Sequence, residues 1–283
     1  MTAVAQFGSN PGRLRMYLRL PARPVRPGAP LLVLLHGCGQ DARQFAAASG
    51  FAALAERLGA ALLLPEQQAE NNRGRCFNWF RPADFGPGGR GEAASIRQMV
   101  FDALVRVRAD PARVYVAGLS AGGAMAAALL AAYPDVFAGG AVVAGMPVGT
   151  AHDMASALMR MERATNDDGA ALAAHLAGRP GVSWPRLSVW HGTADRVVDP
   201  ANGDALVAQW GAAIGLGPEP DAESEPAPGL RRRVWGRALE QWSLRGFGHA
   251  FPVLDGSPAD PYVVPAGIAA SEAMARFWGL LPG

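Results

Sequence analysis

An α/β fold, with a mostly parallel central sheet flanked by helices and a small helical insertion, is the architecture this sequence predicts. Three observations predict it. Short aliphatic runs, apolar on both faces as buried parallel strands require, recur at residues 31–35, 60–64, 114–119, 141–143 and 187–190. Helical patterns lie between them, at 45–58, from Ile96 through Val100, Ala103, Leu104 and Val107, and at 121–133. The 35 Gly and 23 Pro supply turns between many short elements. Strand and helix alternating in this way place helices on both faces of one sheet.

Taken in order, residues 13–20 alternate, with Leu14, Met16, Leu18 and Leu20 on one face and Arg13, Arg15, Tyr17 and Arg19 on the other, as a half-buried antiparallel strand would. A Pro-rich turn leads into the first central strand at 31–35. Residues 239–244 form a further strand, and a helix over about 265–280 ends the chain. Two segments break the rhythm. Residues 147–185 hold two helices' worth of sequence where a short loop would serve, which reads as a cap-like insertion; residues 215–229, acidic and rich in Pro and Gly, read as a solvated surface loop. Neither a repeat nor an interdomain linker is visible, so residues 1–283 are read as one catalytic domain.

Composition excludes several classes of function. A chain of 283 residues, 50% apolar, buries a large core and is not disordered. Net charge is +2 and every basic residue outside the histidines is Arg. The densest basic run, Arg231 to Arg233, continues into Val234 and Trp235 and reads as the start of a strand, so no nucleic acid is expected as a partner. No apolar run reaches the length of a membrane span; the longest is stopped by Pro134 and Asp135. The N-terminus lacks a signal-peptide apolar region, leaving a cytoplasmic protein or a mature exported form. Cys38 and Cys76 lack metal-ligand spacing; a single disulfide and a pair of buried thiols both remain open.

The chemistry concentrates at Gly118-Leu119-Ser120-Ala121-Gly122, a G-x-S-x-G pattern. By itself the pattern is weakly specific, but a strand precedes it and a helix of small residues follows it, as a turn presenting a nucleophilic serine needs. A serine hydroxyl requires a base within reach and a third group to orient that base. His249, between two turn glycines and the final helix, is the candidate base. His152 and His175 fall in the cap-like segment, while His36 and His191 end strands and read as supports for nearby loops. Asp195, just beyond the strand ending in Trp190, precedes His249 in chain order and is the candidate acid; Asp199, next to Pro200, reads as a helix N-cap. Backbone N–H groups of Ala121 and Cys38, the latter in His36-Gly37-Cys38-Gly39-Gln40, are the candidates to receive the oxyanion. This chemistry calls for no cofactor and no metal, only an ester substrate, and implies no partner protein.

Together HGCGQ at 36–40, CFNW at 76–79, GLSAGGAM at 118–125, YPDVFAGGAVVAG at 133–145, WHGTADRVV at 190–198 and GFGHAFP at 246–252 resemble the esterase/PHB depolymerase family, which includes feruloyl and acetylxylan esterases. The resemblance covers roughly residues 7–280. It implies an α/β-hydrolase catalytic domain cleaving esters of short-chain 3-hydroxyalkanoates, or alternatively hydroxycinnamic or acetyl esters, with Ser120, Asp195 and His249 as its triad and Cys38 in its oxyanion loop. Export of many members favours an extracellular or periplasmic location and a Cys38–Cys76 bridge. Polymer-degrading members commonly add a linker and binding domain, and here the sequence ends directly after the last helix, which favours oligomers and small esters. Trp79, Phe251 and Trp184 are the candidate substrate-binding aromatics. A non-catalytic binding protein on the same fold is the rival of a different class.

Overall fold

A computed structural model of the protein describes residues 1–82, 90–176, 183–255 and 260–282. Its central sheet has the order β1-β2-β4-β3-β5-β6-β7-β10-β9-β8. The strands are β1 (Thr2–Val4), β2 (Arg15–Arg19), β3 (Leu31–Leu35), β4 (Ala61–Glu66), β5 (Val114–Leu119), β6 (Gly139–Val143), β7 (Arg186–Gly192), β8 (Ala222–Ala227), β9 (Leu230–Trp235) and β10 (Leu239–Leu244). From β4 through β3, β5, β6 and β7 to β10 neighbours run parallel, and antiparallel pairs close both edges. A small parallel pair, β11 (Phe251–Val253) and β12 (Val263–Pro265), lies apart from it.

The helices are α1 (Ala42–Ala48), α2 (Phe51–Leu58), α3 (Glu92–Val107), α4 (Ala121–Ala132), α5 (Met154–Glu162), α6 (Gly169–Ala174), α7 (Ala201–Ala213) and α8 (Ala270–Phe277). Side chains of a strand alternate between faces, so β3 feeds two cores. Leu31, Val33 and Leu35 join α3, α4 and α7 on one side; Leu32 and Leu34 join Phe45, Phe51 and Met274 of α1, α2 and α8 on the other. The helical pattern at 45–58 is two helices, because Gly50 takes φ +80° and breaks the run. The acidic segment 215–229 is not all loop. Residues Ala222–Ala227 pair with β9 as a solvent-facing edge strand, held by a two-point ion pair from Arg231 to Glu223 at 2.7 and 2.8 Å. Polar composition hid it, since an edge strand exposed on both faces has no apolar alternation to read. The predicted insertion at 147–185 carries α5 and α6; its residues 177–182 lie outside the described ones.

The approach of α4 to the sheet sets the geometry of everything at its N-terminus. A Cβ built on Gly122 would fall 2.4 Å from Leu35 O and 2.5 Å from His36 O, and one on Gly118 would fall 2.2 Å from Gly122 O. Only glycine allows backbone to meet backbone here. Gly122→Ala is therefore expected to force α4 away from β3 at a cost of about 1–3 kcal/mol; urea unfolding of the variant measures this, with an unchanged midpoint contradicting the contact.

Candidate active site

Ser120 stands between β5 and α4 with φ 57° and ψ −121°, in a region L-residues rarely occupy. Its N–H donates to Val143 O at 2.8 Å, fixing the strained turn to the neighbouring strand β6. The side chain consequently stands at the C-terminal edge of the parallel strands, where loops following the other strands converge.

Two of those loops are joined backbone to backbone. A Cβ on Gly192, the last residue of β7, would lie 2.2 Å from Phe247 O, so the turn carrying Asp195 presses directly on the turn carrying His249. Thr193 N donates to Leu244 O at 2.9 Å, Ala194 N to Phe247 O at 2.9 Å, and Gly246 N to Thr193 Oγ1 at 2.9 Å. Across this seam His249 Nδ1 and Asp195 Oδ2 are 2.7 Å apart, 54 residues distant in sequence. The other carboxylate oxygen accepts from Val197 N at 2.8 Å and Val198 N at 2.9 Å. Burial alone would push the Asp195 carboxyl up; hydrogen bonds from His191, His249 and Val198 outweigh it and hold the group well below the usual carboxylate range. An ionised Asp195 accepts a hydrogen bond from Nδ1–H, which leaves Nε2 of His249 with its lone pair.

Ser120 and His249 line one cavity of about 130 Å³ together with Gly37, Cys38, Gln40, Leu119, Met161, Val197 and Tyr262. Among the described residues Ser120 Oγ has no hydrogen-bond partner. In substrate-free sites such bonds are often long and tighten on binding.

The loop after β3 is braced from three directions. Gly37 N donates to Gln40 Oε1 at 2.6 Å, and Gln40 Nε2 donates to Asp260 Oδ2 at 2.8 Å, tying it to the segment that bears Tyr262. Gly39 N donates to Gly74 O at 2.8 Å, and Cys38 is disulfide-bonded to Cys76, with Cα atoms 4.2 Å apart. The Cys76 side of that bridge is itself fixed, since Gln67 Nε2 donates to Cys76 O at 3.1 Å and to buried Glu92 at 2.6 Å, and Asn78 N donates to Glu92 at 2.8 Å. The N–H groups of Gly37, Gly39 and Gln40 all have acceptors within the protein, whereas that of Cys38 has none among the described residues. Ala121 holds the first position of α4, where a helix leaves its N–H unsatisfied. His36, fully buried, donates from Nδ1 to Gly37 O at 2.7 Å and accepts at Nε2 from Gln67 N at 3.1 Å, so it serves as a neutral strut.

The structure thus brings Ser120, His249 and Cys38 to one cavity, with Asp195 bonded behind the ring and Ala121 beside the serine. It does not bring the three predicted aromatics there. Phe251 is fully buried against Phe45 and Phe51, Trp79 is buried edge-on to Phe80, and Trp184 packs on Trp210 beside a separate cavity with Phe137 and Pro185. Large rings near a motif in sequence are drawn first into the core. The lining residues missed were Met161, Val197 and Tyr262. Val197 and Tyr262 are 46% and 43% exposed, and only their proximity in sequence to Asp195 and His249 hinted at them. Asp199 accepts from Ala201 N at 3.0 Å and from Ala164 N at 3.1 Å, apart from the site; the N-cap of α7 is Pro200, so Asp199 stands one residue ahead of the cap position expected of it.

Comparison with known proteins identifies the relatives of this chain. The model of the family described as esterase PHB depolymerase matches residues 14–219. The chain is 38% identical to a poly(3-hydroxyalkanoate) depolymerase C of Paucimonas lemoignei, the match covering 99% of this chain and 70% of that protein. It is 32% identical to a feruloyl esterase B of Talaromyces funiculosus over 89% of this chain and 73% of the relative. Among solved structures, an acetyl xylan esterase from Aspergillus awamori superposes with a TM-score of 0.84 at 23% identity, covering 99% of both chains, which establishes the α/β-hydrolase fold.

Two outcomes are expected from the bracing of the loop after β3. Opening the disulfide with Cys76→Ser should cost about 4 kcal/mol through loop-closure entropy, read by urea unfolding in oxidised and reduced buffer; equal midpoints would contradict it. Burial, which outweighs the raising effect of the Gly37 hydrogen bond, lowers the His36 pKa from 6.5 to about 4. The unfolded chain therefore takes up this proton first as pH falls. The His36 contribution is complete above pH ~6.5 and declines by up to about 3 kcal/mol on the way to pH ~4. Unfolding free energies measured across that window should be flatter in His36→Asn.

Proposed function

The chain belongs to the esterase PHB depolymerase family and is a carboxylic ester hydrolase, and from that premise we propose that Ser120, His249 and Asp195 form its catalytic triad. The observation that carries the proposal is the His249–Asp195 hydrogen bond, which leaves the lone pair of Nε2 on a ring that shares a cavity with the Ser120 hydroxyl. Nε2 accepts the hydroxyl proton as Oγ attacks the ester carbonyl, and Asp195 stabilises the imidazolium that results. The tetrahedral oxyanion is met by the N–H groups of Cys38 and Ala121. The imidazolium then protonates the leaving alcohol, water attacks the acyl-enzyme with His249 again as base, and the acid is released.

The substrates proposed are short-chain 3-hydroxyalkanoate esters, as polymer, oligomer or small ester. Support comes from the 38% identity to a poly(3-hydroxyalkanoate) depolymerase and from the lining that Met161, Val197 and Tyr262 give the cavity. Feruloyl or acetylxylan ester hydrolysis is the second reading, favoured by the 32% identity to a feruloyl esterase. The segment 147–185 is proposed as a cap, since Met161 of α5 reaches the cavity. Function in an oxidising compartment, extracellular or periplasmic, is proposed on the strength of the Cys38–Cys76 bridge.

Ser120→Ala is expected to lower kcat by several orders of magnitude while preserving the far-UV spectrum, and a fluorophosphonate probe to label wild type at Ser120 alone. An active alanine variant would overturn the assignment and revive a non-catalytic role for this turn. Hydroxybutyrate oligomers, methyl ferulate and p-nitrophenyl acetate, compared by kcat/KM, separate the two substrate readings; a preference for ferulate would reverse their order.

A further inference from the structure

We propose that His191 is a positioning residue for ester hydrolysis, a second histidine whose Nε2–H is fixed beside the same carboxylate oxygen that orients His249. The inference rests on Asp195 being the acid of the triad. His191 lies in β7, four residues before Asp195, and its side chain is only 4% exposed. Its Nε2 stands 3.1 Å from Val198 O and 3.3 Å from Asp195 Oδ2. Both neighbours are acceptors, so Nε2 carries a hydrogen, donated to Val198 O with Asp195 Oδ2 beside it. Nδ1 is buried without a partner among the described residues. A hydrogen on Nδ1 would have no acceptor there.

Packing holds the ring in this pose. A Cβ on Gly203 of α7 would come within 3.0 Å of Nδ1 and 3.2 Å of the His191 Cβ, so the helix backbone lies flat on the imidazole. On the sheet side His191 pairs in register with Ser243 of β10. The consequence falls on Asp195. Val197 and Val198 N–H donate to Oδ1, His249 bonds Oδ2, and the Nε2 donor of His191 lies 3.3 Å from Oδ2, so donors flank both oxygens and oppose rotation of the carboxylate about its Cβ–Cγ bond. Without His191, Oδ2 would be held by His249 alone, the one partner that must change charge during turnover. His191 thereby supplies a fixed donor while His249 cycles between imidazole and imidazolium.

Long-range 15N–1H correlation spectra of the wild-type protein at pH 8 should show His191 protonated at Nε2 and bare at Nδ1; the opposite tautomer, or an imidazolium, would overturn the proposal whatever the variants do. With a p-nitrophenyl ester, His191→Leu is expected to lower kcat by roughly 10- to 100-fold with little change in KM, as for loss of one hydrogen bond to a charged group. His191→Gln, which keeps an N–H donor, should recover most of it. In an Asp195→Asn background the His191→Leu loss should disappear, since the residue acts through the carboxylate. Wild-type kcat in His191→Leu, or equal losses in the Leu and Gln variants, would sink this inference while a crippled Asp195→Asn left the triad standing. An active Asp195→Asn would instead remove the triad reading itself.

Discussion

Backbone-to-backbone contact at glycine is the constraint from which the site follows. Gly118 and Gly122 let the start of α4 rest on β3 and β5, and Gly192 lets the turn after β7 rest on the turn after β10. The first contact delivers Ser120 to the sheet edge in a strained conformation; the second brings two side chains 54 positions apart into a 2.7 Å hydrogen bond. In each case a single methyl group would overlap a carbonyl oxygen. A protein interior is too densely packed to absorb such an overlap without moving whole elements. Stability and the geometry of the candidate site therefore depend on the same few atoms that are missing.

Around that frame the polar groups sort by what they are allowed to do. His36 is sealed in, bonded at both ring nitrogens to backbone, and kept neutral by burial. Asp195 is buried too, yet enough donors converge on it that its charge survives. His249 is held at one nitrogen only, and that asymmetry suits it to exchange protons as the proposed base. Two buried imidazoles and the proposed base sit within the same set of loops, distinguished by the number and kind of their partners rather than by residue type.

Much of this was legible in the sequence. The strands at 31–35 and 114–119 carry their apolar runs without interruption, and a serine set between a strand and a helix of small residues leaves few alternatives. Its place just beyond the strand ending in Trp190 favoured Asp195 over Asp199 as the candidate acid, and the turn glycines favoured His249 as the candidate base. What stayed hidden had physical reasons. Cavity-lining residues such as Tyr262 and Val197 are defined by where loops converge, a property that no local pattern encodes. Phe251, Trp79 and Trp184 stand beside informative motifs in sequence, but burial of their large rings overrides that adjacency. The pairing of Cys38 with Cys76 needed the loop after β3 and the segment after β4 to be seen side by side. Short pairs such as β11 and β12 have too few residues to show a period.

The edge strand Ala222–Ala227 bears on how this protein coexists with its neighbours at high concentration. A sheet of this width ends in backbone amides and carbonyls that invite a further strand from another molecule. Here Pro226 removes one of the donors, while Glu223 and Glu225 place carboxylates along the rim, one of them already matched to Arg231. An incoming strand would have to strip water from those carboxylates and leave the proline position unbonded. At this edge the sheet is thus discouraged from growing sideways into fibrils, by a short stretch far from the candidate site.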